Sequence, residues 1–214
     1  SSAFFVLDIA SNDGTLLEYL NRAGYKVLGV EPADNLAKLN PLDTYCAFWS
    51  EEVSYDIVAN HGRADVIIAQ NVLGHVDNVR DFLRGIRHAL ARGGVAIIEV
   101  PHLLTLLANN AFDTIYHEHL SYWTLGALCF AAEQSSLHVT HVDHLAIHGG
   151  SMRMWLSHTD HPDHSVTEGL SAEQQAELFA STPYTLFSQR VDIVLRRLCE
   201  LLETMQSQEK VVWG

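Results

Sequence analysis

Residues 4–14 read FFVLDIASNDG, an apolar run that leads directly into a tight turn of small and polar residues. Such a run is typical of a strand that is buried on both faces, as the strands of a parallel sheet are. Leu16, Leu17 and Leu20 follow at helical spacing, and Gly24 ends the pattern. This order of strand, turn and helix predicts the first unit of a parallel α/β sheet.

The same alternation of strand and helix repeats as far as residue 100. Strands are predicted at residues 4–9, 25–30, 45–49, 64–69 and 95–100, and helices at residues 15–23, 34–40, 54–60 and 79–90. An alternation at this spacing is typical of a doubly wound parallel sheet.

The pattern changes after the fifth predicted strand. Residues 137–142 and 151–158 suit late antiparallel strands, and residues 171–209 suit helices. Ser171 stands where a capping box would open the first of these helices. Residues 184–207 are then predicted to form one long amphipathic helix.

Composition excludes several classes of function. The chain has 214 residues and a formal net charge of -13, with no run of Lys or Arg, so a nucleic-acid partner is not expected. No apolar run approaches the roughly 20 residues of a membrane span. Cys46, Cys129 and Cys199 lie far apart without a CxxC pair, which argues against a zinc site and a disulfide scaffold. We expect a cytoplasmic protein with a small-molecule substrate.

Polar residues stand where the predicted strands end, namely Asp8, Glu31, Asn71 and Glu99. In open α/β sheets a ligand binds at the carboxyl ends of the strands, near the point where the strand order reverses. A concentration of polar groups at this edge is what a nucleoside-type ligand needs.

The turn after the first strand is not GxGxxG, which disfavours a dinucleotide. It is similar to the loop D-x-G-x-x-x-G of class I methyltransferases, with Ala10 at the first glycine. Glu31, at the end of the second strand, is placed to accept hydrogen bonds from both ribose hydroxyls. We predict an adenosyl ligand such as S-adenosylmethionine. The predicted cofactor-binding residues are Asp8, Ala10, Asn12, Gly14, Glu31, Pro32 and Asn71.

Two further points bear on the interpretation of this loop as a cofactor site. Asp8 and Glu31 would also serve as caps for the helices that follow them. If the loop needs a positive φ at Ala10, backbone strain is expected there, because only glycine adopts that conformation without cost.

Two histidine-containing segments follow the fourth and fifth predicted strands. They are residues 71–76, NVLGHV, and residues 113–122, DTIYHEHLSY. Both should lie at the ligand edge of the sheet, and histidine is the side chain best suited to exchange protons near neutral pH.

These segments, together with DIASNDGTLL, GVEP, VAIIEVP and HGGSMRMW, resemble the sugar C-methyltransferase family over most of residues 6–156. Its members add a methyl group to C3 of a thymidine-diphosphate-linked 4-keto-6-deoxy sugar in antibiotic biosynthesis. The resemblance implies a class I methyltransferase (Rossmann-like) domain over residues 1–160 and a helical extension over residues 161–214. Family members also carry a zinc-binding module before this domain and a second Rossmann-like domain after it. We therefore expect this chain to be the central domain of a longer protein.

The resemblance also implies residue roles. His119 is the candidate base that removes the C3 proton, which the C4 ketone acidifies. Tyr116 and His75 are candidates to bind the substrate or hold the enolate oxygen, and Glu118 to orient or polarise a neighbour.

The segment HGGSMR, residues 148–153, supplies the candidate substrate contacts. They are His148, Gly149, Ser151 and Arg153. A β-bulge at the glycine pair is the alternative interpretation.

Other functions fit the same residues. The domain would also suit methylation of another ketone, such as a polyketide β-ketoacyl chain. A catalytically silent methyltransferase-fold module that binds a partner is the third hypothesis, for which Ala10 is a hint. We expect no metal, because the clusters of histidine lack cysteines at metal spacing.

Overall fold

The computed structural model describes residues 4–211, apart from the side chain of His148, and within them seven strands form a single sheet. The strands are β1 (Phe5–Ile9), β2 (Lys26–Val30), β3 (Thr44–Tyr45), β4 (Ala64–Gln70), β5 (Leu90–Pro101), β6 (His138–Leu145) and β7 (Ser151–Ser157). The helices are α1 (Thr15–Arg22), α2 (Asp34–Ala37), α3 (Glu51–His61), α4 (Val79–Ala89), α5 (Leu103–Asn109), α6 (Leu125–Glu133), α7 (His164–Gln175) and α8 (Thr182–Ser207). Short 3₁₀ turns lie at Leu73–His75, Phe112–Thr114 and Ile147–Gly149.

The strand order is β3-β2-β1-β4-β5-β7-β6. β1 to β5 pair in parallel, whereas β7 pairs antiparallel with both β5 and β6. The order therefore reverses between β1 and β4, which leaves a crevice at the carboxyl ends of these two strands. The predicted doubly wound sheet and its late antiparallel strands are confirmed.

The burial of β1 explains its continuous apolar sequence. All five residues of β1 are buried, as a strand with a helical layer on each face requires. The main core lies between the sheet and the helices that cover it, and Leu7, Ile67, Phe82 and Ile98 are among its fully buried side chains.

Several predicted boundaries are wrong: β5 begins at Leu90 rather than residue 95, α3 begins at Glu51 rather than residue 54, and two others have a visible cause. The third strand was expected at residues 45–49, but β3 is only Thr44–Tyr45, because the chain leaves the sheet edge and the Nε1–H of Trp49 donates to the carbonyl of Phe82 instead. The helix expected to open at Ser171 begins at His164, because Asp163 caps it by accepting from the backbone N–H of Ser165.

Helix α8 differs from the others because none of its residues is buried. It contacts the domain near its start, where Phe187 packs on a small cluster around Leu106 and Arg190 donates to the carbonyl of Leu107. None of the helices within residues 4–211 is both long enough and apolar enough to cross a bilayer.

Candidate active site

The first crevice, of about 480 Å³, lies at the switch point of the sheet. It is lined by Asp8, Ala10, Ser11, Asn12, Asp13, Thr15, Leu16, Tyr19 and Gln70. The backbone N–H groups of Ala10 and Ser11 donate to the carbonyl of Val30, which holds this loop against the end of β2. Three of the predicted cofactor residues, Asp8, Ala10 and Asn12, therefore line one crevice.

The loop is built from left-handed backbone. Ala10 has a φ of 60°, Asn12 of 55° and Gly14 of 82°. The strain expected for a positive φ at Ala10 is therefore present, since its Cβ disfavours this conformation. At Gly14 a Cβ would also overlap the side chain of Asn40, so a larger residue would have to displace that side chain.

Glu31 ties the first loop to the second. Its Oε2 accepts from the N–H of Asn12 at 3.0 Å, and its Oε1 accepts from the N–H of Ala33 at 2.9 Å. Ala33 is the residue before α2, so the carboxylate also stabilises the entry to that helix, in line with the capping alternative. Each oxygen keeps a second lone pair, which leaves acceptors for a ribose. Glu31 itself, Pro32 and Gly14 are not among the residues that line the crevice, so Glu31 stands behind the Asn12 backbone that does.

Asp8 is buried close to Glu31, and the pKa of its carboxyl is raised to about 7, first by burial and then by the negative charge of Glu31. Near neutral pH, Asp8 therefore exchanges a proton readily, and a cationic ligand group beside it favours the ionised form.

Ser11 adds a residue that sequence reasoning missed. Its Oγ is fully buried and has no hydrogen-bond partner among the described residues, although Ser11 lines the crevice. An unpaired buried hydroxyl beside a crevice fits a site that a polar ligand completes.

A second cleft, of about 640 Å³, lies next to the first, since Gln70 lines one and Asn71 the other. It is lined by Asn71, Gly74, His75, Pro101, Ala111, Asp113, Thr114, Tyr116, His119, Ser121, Tyr122, Trp123 and Gly149. The carbonyl of Gly74 accepts from the N–H groups of Leu120 and Ser121, at 2.8 and 3.2 Å. This carbonyl joins the two histidine-containing segments.

His119 is held with one defined proton position. Its Nδ1 lies 2.8 Å from the carbonyl oxygen of Thr114, and a carbonyl only accepts, so Nδ1 carries the hydrogen. In the neutral ring Nε2 then bears the lone pair, and the hydroxyl of Tyr116 donates to it at 3.2 Å. The hydroxyl of Tyr122 also donates to the carbonyl of Thr114. The lone pair on Nε2 of His119 can therefore accept a proton once the hydroxyl of Tyr116 moves away.

His75 is oriented in the same way. Its Nδ1 lies 2.9 Å from the carbonyl oxygen of Glu118, so the neutral ring again carries its lone pair on Nε2. The rings of His75 and His119 are 4.9 Å apart between centroids. Glu118 contributes its backbone carbonyl, while its side chain is exposed and does not line the cleft.

The predicted substrate contacts on residues 148–153 are dispersed. Gly149 lines the cleft, whereas the side chain of His148 lies outside the described structure. The Oγ of Ser151 is buried and donates to the carbonyl of Ile147. Arg153 donates through Nε and Nη2 to one oxygen of buried Glu99, at 2.9 and 2.7 Å. The structure therefore engages Arg153 in an ion pair within the sheet rather than in the cleft lining.

Comparisons with known proteins agree with this geometry. The model of a methyltransferase domain family matches residues 5–142, and that of a C-methyltransferase C-terminal domain matches residues 146–214. The chain is 34% identical over 217 residues to the C-methyltransferase NovU of Streptomyces niveus, covering 98% of this chain and 51% of that protein. It is 30% identical over 96 residues to a ubiquinone biosynthesis O-methyltransferase of Bradyrhizobium diazoefficiens, covering 44% of this chain and 38% of that one. The chain thus spans about half, or less, of these relatives.

Solved structures share the fold. An S-adenosylmethionine-dependent methyltransferase from Archaeoglobus fulgidus superposes with a TM-score of 0.53 at 15% identity, covering 68% of this chain and 67% of that chain. The plantazolicin methyltransferase BamL, solved with S-adenosylhomocysteine, gives a TM-score of 0.55 at 13% identity, covering 74% and 79%. At these identities the likeness shows the fold alone, and it confirms the predicted class I methyltransferase fold.

Proposed function

The chain belongs to the methyltransferase domain family and carries a C-methyltransferase C-terminal segment, and on this basis we propose that it methylates a carbon next to a ketone. S-adenosylmethionine is the cofactor, and the first crevice suits it through the close backbone of residues 8–14, the Glu31 carboxylate and the unpaired Ser11 hydroxyl. The observation that carries the proposal is the oriented lone pair of His119 Nε2 in the adjoining cleft.

When bound, S-adenosylmethionine supplies an electrophilic methyl group on a sulfonium. His119 Nε2 takes the proton from the carbon beside the ketone, the C–H electron pair becomes the C=C bond, and the carbonyl π pair moves to oxygen. The cofactor, which residues 8–14 and Glu31 would hold, would supply the methyl group to the resulting carbanion, with the S–CH₃ electron pair left on sulfur. The proton stays on His119 until solvent accepts it, so atoms and charge balance.

Tyr116 has to release His119 before this step. Its hydroxyl donates to Nε2, the atom that the substrate C–H must reach. Tyr116 is 45% exposed, so its ring has room to move and present its hydroxyl to a substrate oxygen. The Thr114 carbonyl keeps His119 in place meanwhile.

We propose C3 of a nucleotide-linked 4-keto-6-deoxy sugar as the acceptor, as in antibiotic biosynthesis. The support is the similarity of residues 71–76 and 113–122 to the sugar C-methyltransferases. The net charge of -13 supports a small-molecule partner over a nucleic acid. A cytoplasmic location stays a prediction.

The test is methyl transfer from CD₃-labelled S-adenosylmethionine to thymidine-diphosphate-4-keto-6-deoxyglucose, with the labelled carbon located by NMR. We expect label at C3, and we expect His119→Ala to lower turnover by about 100-fold or more with S-adenosylhomocysteine affinity changed only a few-fold. His117→Ala is the matched control, because His117 is exposed and does not line the cleft.

Label on oxygen, or an intact rate in His119→Ala, would contradict the mechanism. Transfer to a β-ketoacyl thioester but not to the keto sugar would keep the ketone chemistry and reject the sugar. Absence of transfer to either ketone would favour a silent binding module.

A further inference from the structure

Among the residues that the structure describes, two buried hydrogen-bond donors beside the second cleft have no partner. The Nε1–H of Trp123 and the Oγ of Ser121 are fully buried and unpaired among the described residues, and both residues line the cleft. Leaving a buried donor unpaired destabilises a protein, and native structures rarely do so without a reason. The indole N–H can only donate, so it needs an acceptor from elsewhere.

Backbone hydrogen bonds to two other segments hold the chain that carries both donors. The N–H of Ser121 donates to the carbonyl of Gly74, and the carbonyl of Trp123 accepts from the N–H of Leu103 at 2.9 Å. Trp123 also forms an isolated parallel bridge with His102.

Three other side chains of the cleft are engaged with protein groups. Nδ1 of His75 lies 2.9 Å from the carbonyl oxygen of Glu118. The hydroxyls of Tyr116 and Tyr122 already donate, to His119 and to the Thr114 carbonyl.

We propose that Trp123 and Ser121 are further catalytic residues, whose N–H and O–H donate to the enolate oxygen that forms when His119 removes the proton. The inference rests on the proposed ketone chemistry. Both atoms are shielded from water and belong to residues that line the cleft, and hydrogen bonds to a developing charge are strong in such surroundings. This assigns the role of oxyanion donor to residues other than His75.

Proton exchange isolates the enolisation step from methyl transfer. The substrate is thymidine-diphosphate-4-keto-6-deoxyglucose in D₂O with S-adenosylhomocysteine bound, and NMR follows loss of the C3 proton. We expect Trp123→Phe and Ser121→Ala each to slow exchange by about 10²-fold, which is typical of removing one oxyanion donor. Their affinity for S-adenosylhomocysteine should stay within about two-fold of the wild type, because the substitutions lie outside the first crevice.

Ser135→Ala is the matched control, since it removes a buried hydroxyl that already donates to the carbonyl of Ala131 in α6. It should exchange at the wild-type rate. Thermal unfolding checks each variant, and if Trp123→Phe does not fold, Ser121→Ala decides alone.

The outcomes separate the two proposals. If the wild-type protein exchanges the C3 proton and Ser121→Ala exchanges it equally fast, the oxyanion assignment is overturned. The proposed ketone chemistry would then remain. Wild-type protein that neither exchanges the C3 proton nor methylates the sugar overturns the proposed function itself.

Discussion

Asp8 should make cofactor binding depend on pH. It lines the first crevice, and the pKa of its carboxyl is raised to about 7 by burial and by Glu31. S-adenosylhomocysteine carries an ammonium group that stays protonated between pH 5 and pH 7. An ionised Asp8 attracts this cation and a protonated Asp8 does not, so we expect affinity to rise with pH over this interval.

The size of the effect follows from the pKa. With a pKa of about 7, about 1% of free Asp8 is ionised at pH 5 and about half at pH 7. If only the ionised form binds, the dissociation constant should fall by about 50-fold between these pH values, or about 2.3 kcal/mol. At pH 6, binding should release about 0.9 proton per ligand, since about nine-tenths of Asp8 is then protonated.

The assay is isothermal titration of S-adenosylhomocysteine at pH 5, 6 and 7, in buffers of different ionisation enthalpy to count protons. Asp8→Asn should bind with little pH dependence and release no proton. Asp13→Asn is the matched control: it lies in the same loop, and hydrogen bonds from Thr15 lower the pKa of Asp13, so its charge is constant over this range. Circular dichroism establishes that each protein is folded at pH 5.

Two results would refute the reasoning. One is a wild-type dissociation constant that changes by less than about three-fold between pH 5 and pH 7. The other is an Asp8→Asn variant that keeps the wild-type slope, which would assign the titration to another group.

Four further predictions concern the same loops and the buried core. Ala10→Gly should raise the free energy of unfolding in urea by about 1 kcal/mol, because it removes a left-handed alanine at φ 60°; a loss of stability would contradict the strain. Glu31→Gln should weaken S-adenosylhomocysteine binding by about 1–3 kcal/mol, and unchanged affinity in calorimetry would reject the ribose assignment. Glu173→Ala should cost about 3–5 kcal/mol in urea unfolding, because it leaves buried His102 and two backbone amides at the start of α6 unpaired; a loss below about 1 kcal/mol would show that the pair is not needed. The folded protein binds the proton of Asp8 more tightly than the unfolded chain does, since the pKa is raised from 3.8 to about 7. The stability that protonated Asp8 contributes is therefore lost as pH rises from 3.8 to about 7. Asp8→Asn should flatten the dependence of the free energy of unfolding on pH over that range.

The sequence determined the parallel sheet because the signals for it are local. An apolar run such as residues 4–9 is buried wherever it forms a strand, and small and polar residues after it mark the turn. The end of β3 depends on a distant contact, the hydrogen bond from Trp49 to the carbonyl of Phe82. The start of α7 depends instead on a local cap, Asp163, which accepts from the N–H of Ser165 and which the capping pattern at Ser171 obscured.

The sequence also placed His75 and His119 at one edge of the sheet, since both follow parallel strands that end there. Only the tertiary structure decided which ring nitrogen carries the proton, because the Thr114 and Glu118 carbonyls approach through folding of the loops. The raised pKa of Asp8 likewise comes from burial beside a carboxylate 23 positions away in the chain, a consequence of packing that no local pattern contains.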